Sequence, residues 1–370
     1  MIAGLDKRTG SPILDGLVAG TGTPFDDQDL DMSRFPLAIT PSSRPHRANG
    51  VAVGVHRIWR HPDRSSPNST PEPRGSENTF RPCEHRAMPL PADSHVHSEW
   101  SWDTGGPNSF AAGRMETMCE RAVAIGLPAV VFTEHFDFDD AWRTTPEDLM
   151  SHQQDMLDPD GYLRPPPLDV AGYRESIDRC RHRFPDLTIL AGVEFGQPHL
   201  FGRRASMLVD VSTFDRVNGS LHTLEVGDDR YEPNTLFRMW PADDVIWAYL
   251  EEIPRMVAGS DEFEVFCHID YAVRAWPSVT EGPFDPRRFE EGFRAAMRSL
   301  ADSGRVLEMN TRRLWPWIPQ WWTEEGGRAV TFGSDAHVPE AVADNFPEAV
   351  AMVEFFGFRA GRCAEDFWTR

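Results

Sequence analysis

The sequence predicts an α/β fold in which seven parallel strands, each followed by a helix, close or nearly close into a barrel. Three observations carry that expectation. From Met88 onward, short apolar segments alternate with amphipathic ones. Continuous apolar strands of this kind belong to parallel sheets covered by helices. Seven of them recur, each ending in a polar residue, as expected when strand C-termini line one face of a βα barrel.

The strands are expected at ADSHVH (92–97), AVVFTEH (129–135), TILAGVEFG (188–196), DRVNGSLH (215–222), EVFCHID (264–270), RVLEMN (305–310) and AVTFGSD (329–335). Helices fall between them. The segment 109–126 has apolar residues at three- and four-residue spacing and stops at Gly126. The segment 171–184 stops before Pro185, and 286–303 opens with Pro at its first turn and stops at Gly304.

Residues 1–87 differ from the rest. Segment 61–87 is rich in Pro, Ser, Asn and Arg with no apolar period, and such a stretch buries too little surface to offset chain entropy. Residues 1–87 are therefore expected to be a disordered extension or the product of a start assigned too early, with residues 88–370 forming the folded domain. The net charge of −21 belongs to that domain: residues 88–370 hold 26 basic against 48 acidic residues. An acidic surface repels nucleic acid, so no nucleic-acid partner is expected. No run of 18 apolar residues occurs and the first residues are charged, so neither a membrane span nor a signal peptide is expected and the protein reads as cytoplasmic. Five scattered cysteines without a CxxC pair argue against a disulfide framework and a thiolate zinc finger. Cys119, Cys180 and Cys267 read as core residues. No Walker A loop, GxSxG or GxGxxG occurs in the barrel region, which removes support for nucleotide binding and serine nucleophiles.

The chemistry is concentrated at the strand ends. His95 and His97, His135, Glu194, His222, His268, Glu308 with Asn310, and Asp335 with His337 all fall there. Residues two apart on a strand face the same side, so His95/His97 and Asp335/His337 each present two groups to one pocket. A single histidine at a strand end is ordinarily a hydrogen-bonded loop residue; the joint placement at successive ends is what implies a metal centre. Imidazoles mixed with carboxylates suit Zn, Mn or Fe. With Asp103, the set His95, His97, Asp103, His135, Glu194, His222, His268, Asp335 and His337 makes nine ligands. A catalytic ion takes three or four, so two to three divalent ions are expected, with Glu194 as the bridge. Such a site generates hydroxide at neutral pH and clamps a phosphoryl group. His152, His182 and His199 read as surface residues.

HVH (95–97), TEH (133–135), GVEFG (192–196), GSLH (219–222), HID (268–270) and GSDAH (333–337), in that order, resemble the PHP (polymerase and histidinol phosphatase) superfamily, over roughly residues 90–350. TEHFD, GVEFG, GSLHTL, EMNT and GSDAH resemble its histidinol-phosphatase branch. The resemblance implies a distorted (β/α)7 TIM-like barrel and a trinuclear site. It assigns His95, His97, Glu194 and Asp335 to one ion, Glu194, His222 and His268 to a second, and Asp103, His135 and His337 to a third. Arg274 resembles a phosphate-binding arginine, and Glu308, Asn310 and Arg312 are expected to contact substrate. The stretch RRLWPWIPQWW (312–322) departs from the family's usual text.

The expected activity is a metal-dependent phosphomonoesterase acting on a small phosphorylated alcohol, histidinol phosphate among the candidates. A bridging hydroxide would attack phosphorus, with Asp270 or His337 protonating the leaving group. A phosphodiesterase or nuclease of the same superfamily and a non-catalytic metal-binding module are the alternatives.

Overall fold

The structure, a computed structural model, describes residues 90–108 and 113–370. The expected extension 1–87 and the start of the helix expected at 109–126 lie outside the described residues.

The strands are β1 Asp93–Val96, β2 Ala129–Phe136, β3 Thr188–Gly196, β4 Arg216–Ser220, β5 Leu224–Val226, β6 Asp229–Tyr231, β7 Val265–Phe266, β8 Val306–Asn310, β9 Ala329–Gly333 and β10 Trp368–Thr369. All seven expected strands are present. They form one curled sheet in the order β1-β2-β3-β4-β7-β8-β9, every pair parallel, with β10 added antiparallel to β9. The fold is thus a mixed α/β, TIM-like one. Beyond the ladder, β1 reaches the end of β9 through a single parallel bridge between Val96 and Ala336. The buried carboxylate of Asp93 accepts hydrogen bonds there from Ser334 N (3.0 Å), Ser334 Oγ (2.5 Å) and Ala343 N (2.9 Å). A buried acid so placed ties β1 to the segment that follows β9.

The helices follow from their apolar stripes and caps. Val170–Arg183 begins at Asp169, whose side chain accepts from Gly172 N, and buries Tyr173, Ile177 and Cys180. Asp285 caps a 3₁₀ turn at Pro286–Phe289, which leads into Glu290–Asp302 with Phe293, Ala296, Met297 and Leu300 inward. Met115–Ala124 buries Met115, Met118, Cys119 and Ala122. The long helix Ala242–Gly259 and the hairpin β5–β6 were not anticipated individually. Cys119, Cys180 and Cys267 are buried, as expected.

Register places the site. In the β2–β3 ladder His135 pairs with Glu194, and in β3–β4 Glu194 pairs with Asn218, so the ligand candidates sit level at adjacent strand ends. The strand expected at 264–270 is shorter, Val265–Phe266, because His268 takes φ 25° and leaves the ladder. Asp335, just past β9, takes φ 55°. Two ligand candidates therefore hold backbone conformations that most side chains avoid, a strain tolerated at functional sites. Gly333 must be glycine for another reason: a Cβ there would strike Glu308 Oε1 and lie 2.6 Å from His95 Cβ.

Candidate metal centre

The residues at the C-terminal strand ends converge on a cleft of about 560 Å³. His95 and His97 are fully buried and do not line the cleft themselves: His95 Nδ1 lies 2.6 Å from Glu308 Oε1, and His97 Nδ1 lies 2.9 Å from Ser101 Oγ. Ser101 Oγ in turn donates to Glu134 Oε2 at 2.7 Å, so it accepts from His97. These outward bonds turn both Nε2 atoms inward, 3.0 Å apart. Around them stand Glu194 Oε2, at 3.3 Å from His95 Nε2 and 3.4 Å from His97 Nε2, and Asp335 Oδ1, at 3.8 and 3.5 Å. Ligands of a tetrahedral ion with bonds of 2.0–2.1 Å stand about 3.4 Å apart, which is the spacing found. Imidazoles oriented by an outer carboxylate or hydroxyl are the usual arrangement of metal-bound histidine.

The second group centres on the other oxygen of the same carboxylate. Glu194 Oε1 lies 2.7 Å from His268 Nε2 and 3.1 Å from His222 Nε2. The third combines Asp103 Oδ2 with His337 Nε2 at 2.7 Å and His135 Nε2 at 3.5 Å, while His135 Nδ1 is 3.2 Å from Glu194 Oε2. His97, Asp103, His135 and His337 present donor atoms within one ion's reach, as do His95, His97 and Asp335, and His95, Glu194 and His268. All nine expected residues are thus brought together, and Glu194 faces His95, His97, His135, His222 and His268.

The electrostatics demand positive charge at the centre. Burial should lower the imidazole of His222, yet the Glu194 carboxylate and Asp137 hold it up at about 9. His95 is likewise held well above its ordinary value against burial, chiefly by Glu308, and with help from Glu194 and Asp335. His97 goes the other way, down to about 3, through burial and its neighbours His337 and His135. Glu194, Asp103 and Asp335 stay well below the usual carboxylate range although burial opposes it. Protons on a few imidazoles balance these carboxylates only in part; divalent cations would accept all the inward-facing lone pairs at once. Asp103 Oδ1, His135 Nδ1 and His268 Nδ1 are buried with no hydrogen-bond partner among the described residues, which fits the same reading.

Several expectations change in detail. Glu308 was expected at the substrate, but both its oxygens are occupied behind the ligands, one by His95 Nδ1 and the other by His268 N at 2.7 Å. Asn310 donates to Glu308 at 3.2 Å and does not line the cleft. Asp270 is buried, accepts from the Trp315 indole at 3.1 Å and does not line the cleft either, and His337, the other expected proton donor, has Nδ1 on the Asp335 carbonyl and Nε2 at 2.7 Å from Asp103 Oδ2. Arg274 and Arg312 do line it. His199 was expected at the surface, but its side chain packs against Glu252 at 2.8 Å. Asp137 was missed. Its Oδ2 lies 3.5 Å from His135 Nδ1 and its Oδ1 3.7 Å from His222 Nδ1, and the period-2 step from His135 was the signal that pointed to it.

Comparison with known proteins agrees with this geometry. A profile for the PHP domain matches residues 93–312, more than half of the chain. A protein named probable histidinol-phosphatase from Clostridium acetobutylicum is 30% identical over 196 residues, covering 50% of this chain and 74% of its own. Histidinol-phosphatase from Lactococcus lactis subsp. lactis is 25% identical over 277 residues, covering 72% and 91%. The crystal structure of histidinol phosphate phosphatase from Lactococcus lactis, complexed with zinc, L-histidinol and phosphate, shares the fold at a TM-score of 0.58 and 22% identity, covering 75% of this chain and 98% of that one. No described helix is long and apolar enough to cross a membrane. With a strand-end centre of imidazoles and carboxylates suited to divalent metal ions, the chain belongs to the PHP domain family, in its histidinol-phosphatase-like branch, and is a metal-dependent phosphatase.

Proposed function

We propose that the protein is a phosphomonoesterase that releases phosphate from a small phosphorylated alcohol, with L-histidinol phosphate the first substrate to test. The observation that carries this reading is Arg274. Its Nη1 donates to Asp335 Oδ2 at 2.8 Å, while Nε and Nη2 are buried with no partner among the described residues. Two free donors of one guanidinium, held at the edge of the ligand shell, match two oxygens of a phosphate monoester. Arg312 Nη1, 3.6 Å from the same Asp335 oxygen, adds a second cation on that side.

We assign His95, His97, Glu194 and Asp335 to one ion, Glu194, His222 and His268 to a second, and Asp103, His135 and His337 to a third. The ions, when bound, lower the pKa of coordinated water and neutralise charge on the phosphoryl oxygens. The chain's own residues do the rest. Arg274 orients the phosphate. Glu308 holds His95 and the backbone of His268 in place. His337, with Nδ1 donating to the Asp335 carbonyl at 2.9 Å, keeps Nε2 turned toward Asp103, where it would hold the third ion.

A phosphate-release screen of the metal-loaded protein against a panel of phosphomonoesters, L-histidinol phosphate included, tests the proposal. Metal-dependent turnover of at least one monoester is expected. Turnover confined to phosphodiesters or nucleic acid, or none at all, would overturn it.

A further inference from the structure

We infer that Asp137 is a positioning residue shared by two ions: its carboxylate takes the outward hydrogens of His135 and His222 and so aims both imidazoles at the metal centre; this rests on the ion assignment proposed above. Asp137 follows β2 directly, one period-2 step past His135. Its side chain is buried and forms no ion pair with arginine or lysine among the described residues. What surrounds it is the pair of rings. Oδ2 lies 3.5 Å from His135 Nδ1, and Oδ1 lies 3.7 Å from His222 Nδ1. The two rings meet edge to face at 5.4 Å, close enough for one carboxylate to serve both. A neutral imidazole that gives its Nε2 lone pair to an ion carries its hydrogen on Nδ1, and that hydrogen needs an acceptor.

Two further features hold the carboxylate there. The Trp102 indole donates to Oδ2 at 2.9 Å, and Trp102 belongs to the same short turn as Asp103, the carboxylate that faces His135 Nε2. Gly196 supplies the space: a Cβ at that position would lie 2.0 Å from Asp137 Oδ1. The geometry also shows why a separate carboxylate is needed. Glu194 Oε2 stands 3.2 Å from His135 Nδ1 and could accept the same hydrogen. An oxygen of Glu194 spent on that hydrogen has less to give to the ions it bridges. Asp137 takes over the hydrogen-bonding task, so that the charge of Glu194 stays with the metals. His135 is assigned to the third ion and His222 to the second, and Asp137 therefore couples two ions without touching either.

The test is zinc competition against a chromogenic chelator, with cobalt absorption spectra of the same proteins. Wild type is expected to hold two or three ions per chain. Asp137→Asn keeps the shape but cannot accept from both rings, since one of its two polar atoms is a donor. It is expected to bind one ion as tightly as wild type and the others about 10- to 100-fold more weakly, the usual effect of losing an outer partner of a metal-bound histidine. The cobalt bands of the first equivalent should be unchanged and those of later equivalents altered. Gly196→Ala, which leaves the charge and displaces the carboxylate, is expected to give the same pattern and decides the matter if Asp137→Asn does not fold. Wild-type affinity for every ion in both variants overturns the proposal. Equal weakening of all ions, with a lowered Tm after chelator treatment, overturns it by making Asp137 a structural residue only. More than three ions in wild type, with one lost in Asp137→Asn, overturns it by making Asp137 a ligand. A wild type that holds one ion or none overturns the ion assignment on which the proposal rests.

Discussion

Glu194→Gln is expected to release at least one metal ion and to lower turnover by more than about 100-fold, beyond the 10- to 100-fold typical of losing an outer-shell partner. The reason is the position of one carboxylate. Its Oε1 lies 2.7 Å from His268 Nε2, and its Oε2 lies within 3.4 Å of His95, His97 and His135. An amide of the same shape supplies no negative charge and turns a donor toward atoms that must act as ligands. Two cations near one neutral group repel each other without compensation. Elemental analysis beside steady-state rates reads the outcome; a variant with full metal content and normal turnover removes Glu194 from the bridging role. No other carboxylate among the nine ligands faces five imidazoles, so a change at Asp103 or His337 is expected to do less.

The second large effect is expected at Arg274. Arg274→Ala should lower kcat/KM for a phosphomonoester by about 10- to 150-fold, chiefly through KM, which corresponds to losing one charge-assisted contact of roughly 1.5–3 kcal/mol. Arg274→Lys restores charge but not the fork, and should recover only part of the loss. Because Nη1 also holds Asp335 Oδ2, metal content must be measured on the same samples. Normal metal with raised KM supports phosphate binding, whereas lost metal with unchanged KM for the remaining active fraction assigns Arg274 to holding Asp335. Kinetics within twofold of wild type would pass the role to Arg312. Arg313 is not an alternative, since its guanidinium donates to the carbonyls of Val273 and Arg274.

The strands and their polar ends were legible because both obey short-range rules. Apolar runs of six to nine residues with matching ends located each of the seven parallel strands, and the two-residue period gave the pairs His95/His97 and Asp335/His337. The orientation of a carboxylate across the barrel follows no such rule. Glu308 ends β8 much as Glu194 ends β3, yet one lies behind the ligands and the other among them. The difference is set by Gly333, whose missing Cβ leaves room for Glu308 Oε1 beside His95. Asp270 shows the same limit: it follows a ligand by two residues, but the turn at His268 and the Trp315 indole take it out of the cleft. His199 read as a surface residue because its partner Glu252 lies on a helix 53 positions away.

The central claim is that turnover needs more than one ion gathered around Glu194. Titrating a divalent metal into chelator-treated protein, with phosphate release followed on the best monoester of the panel, tests it most directly. The account predicts negligible activity without metal and a rate that keeps rising past one equivalent per chain, reaching its plateau at two or three. Full turnover in metal-stripped protein, or a plateau at a single equivalent, would contradict it.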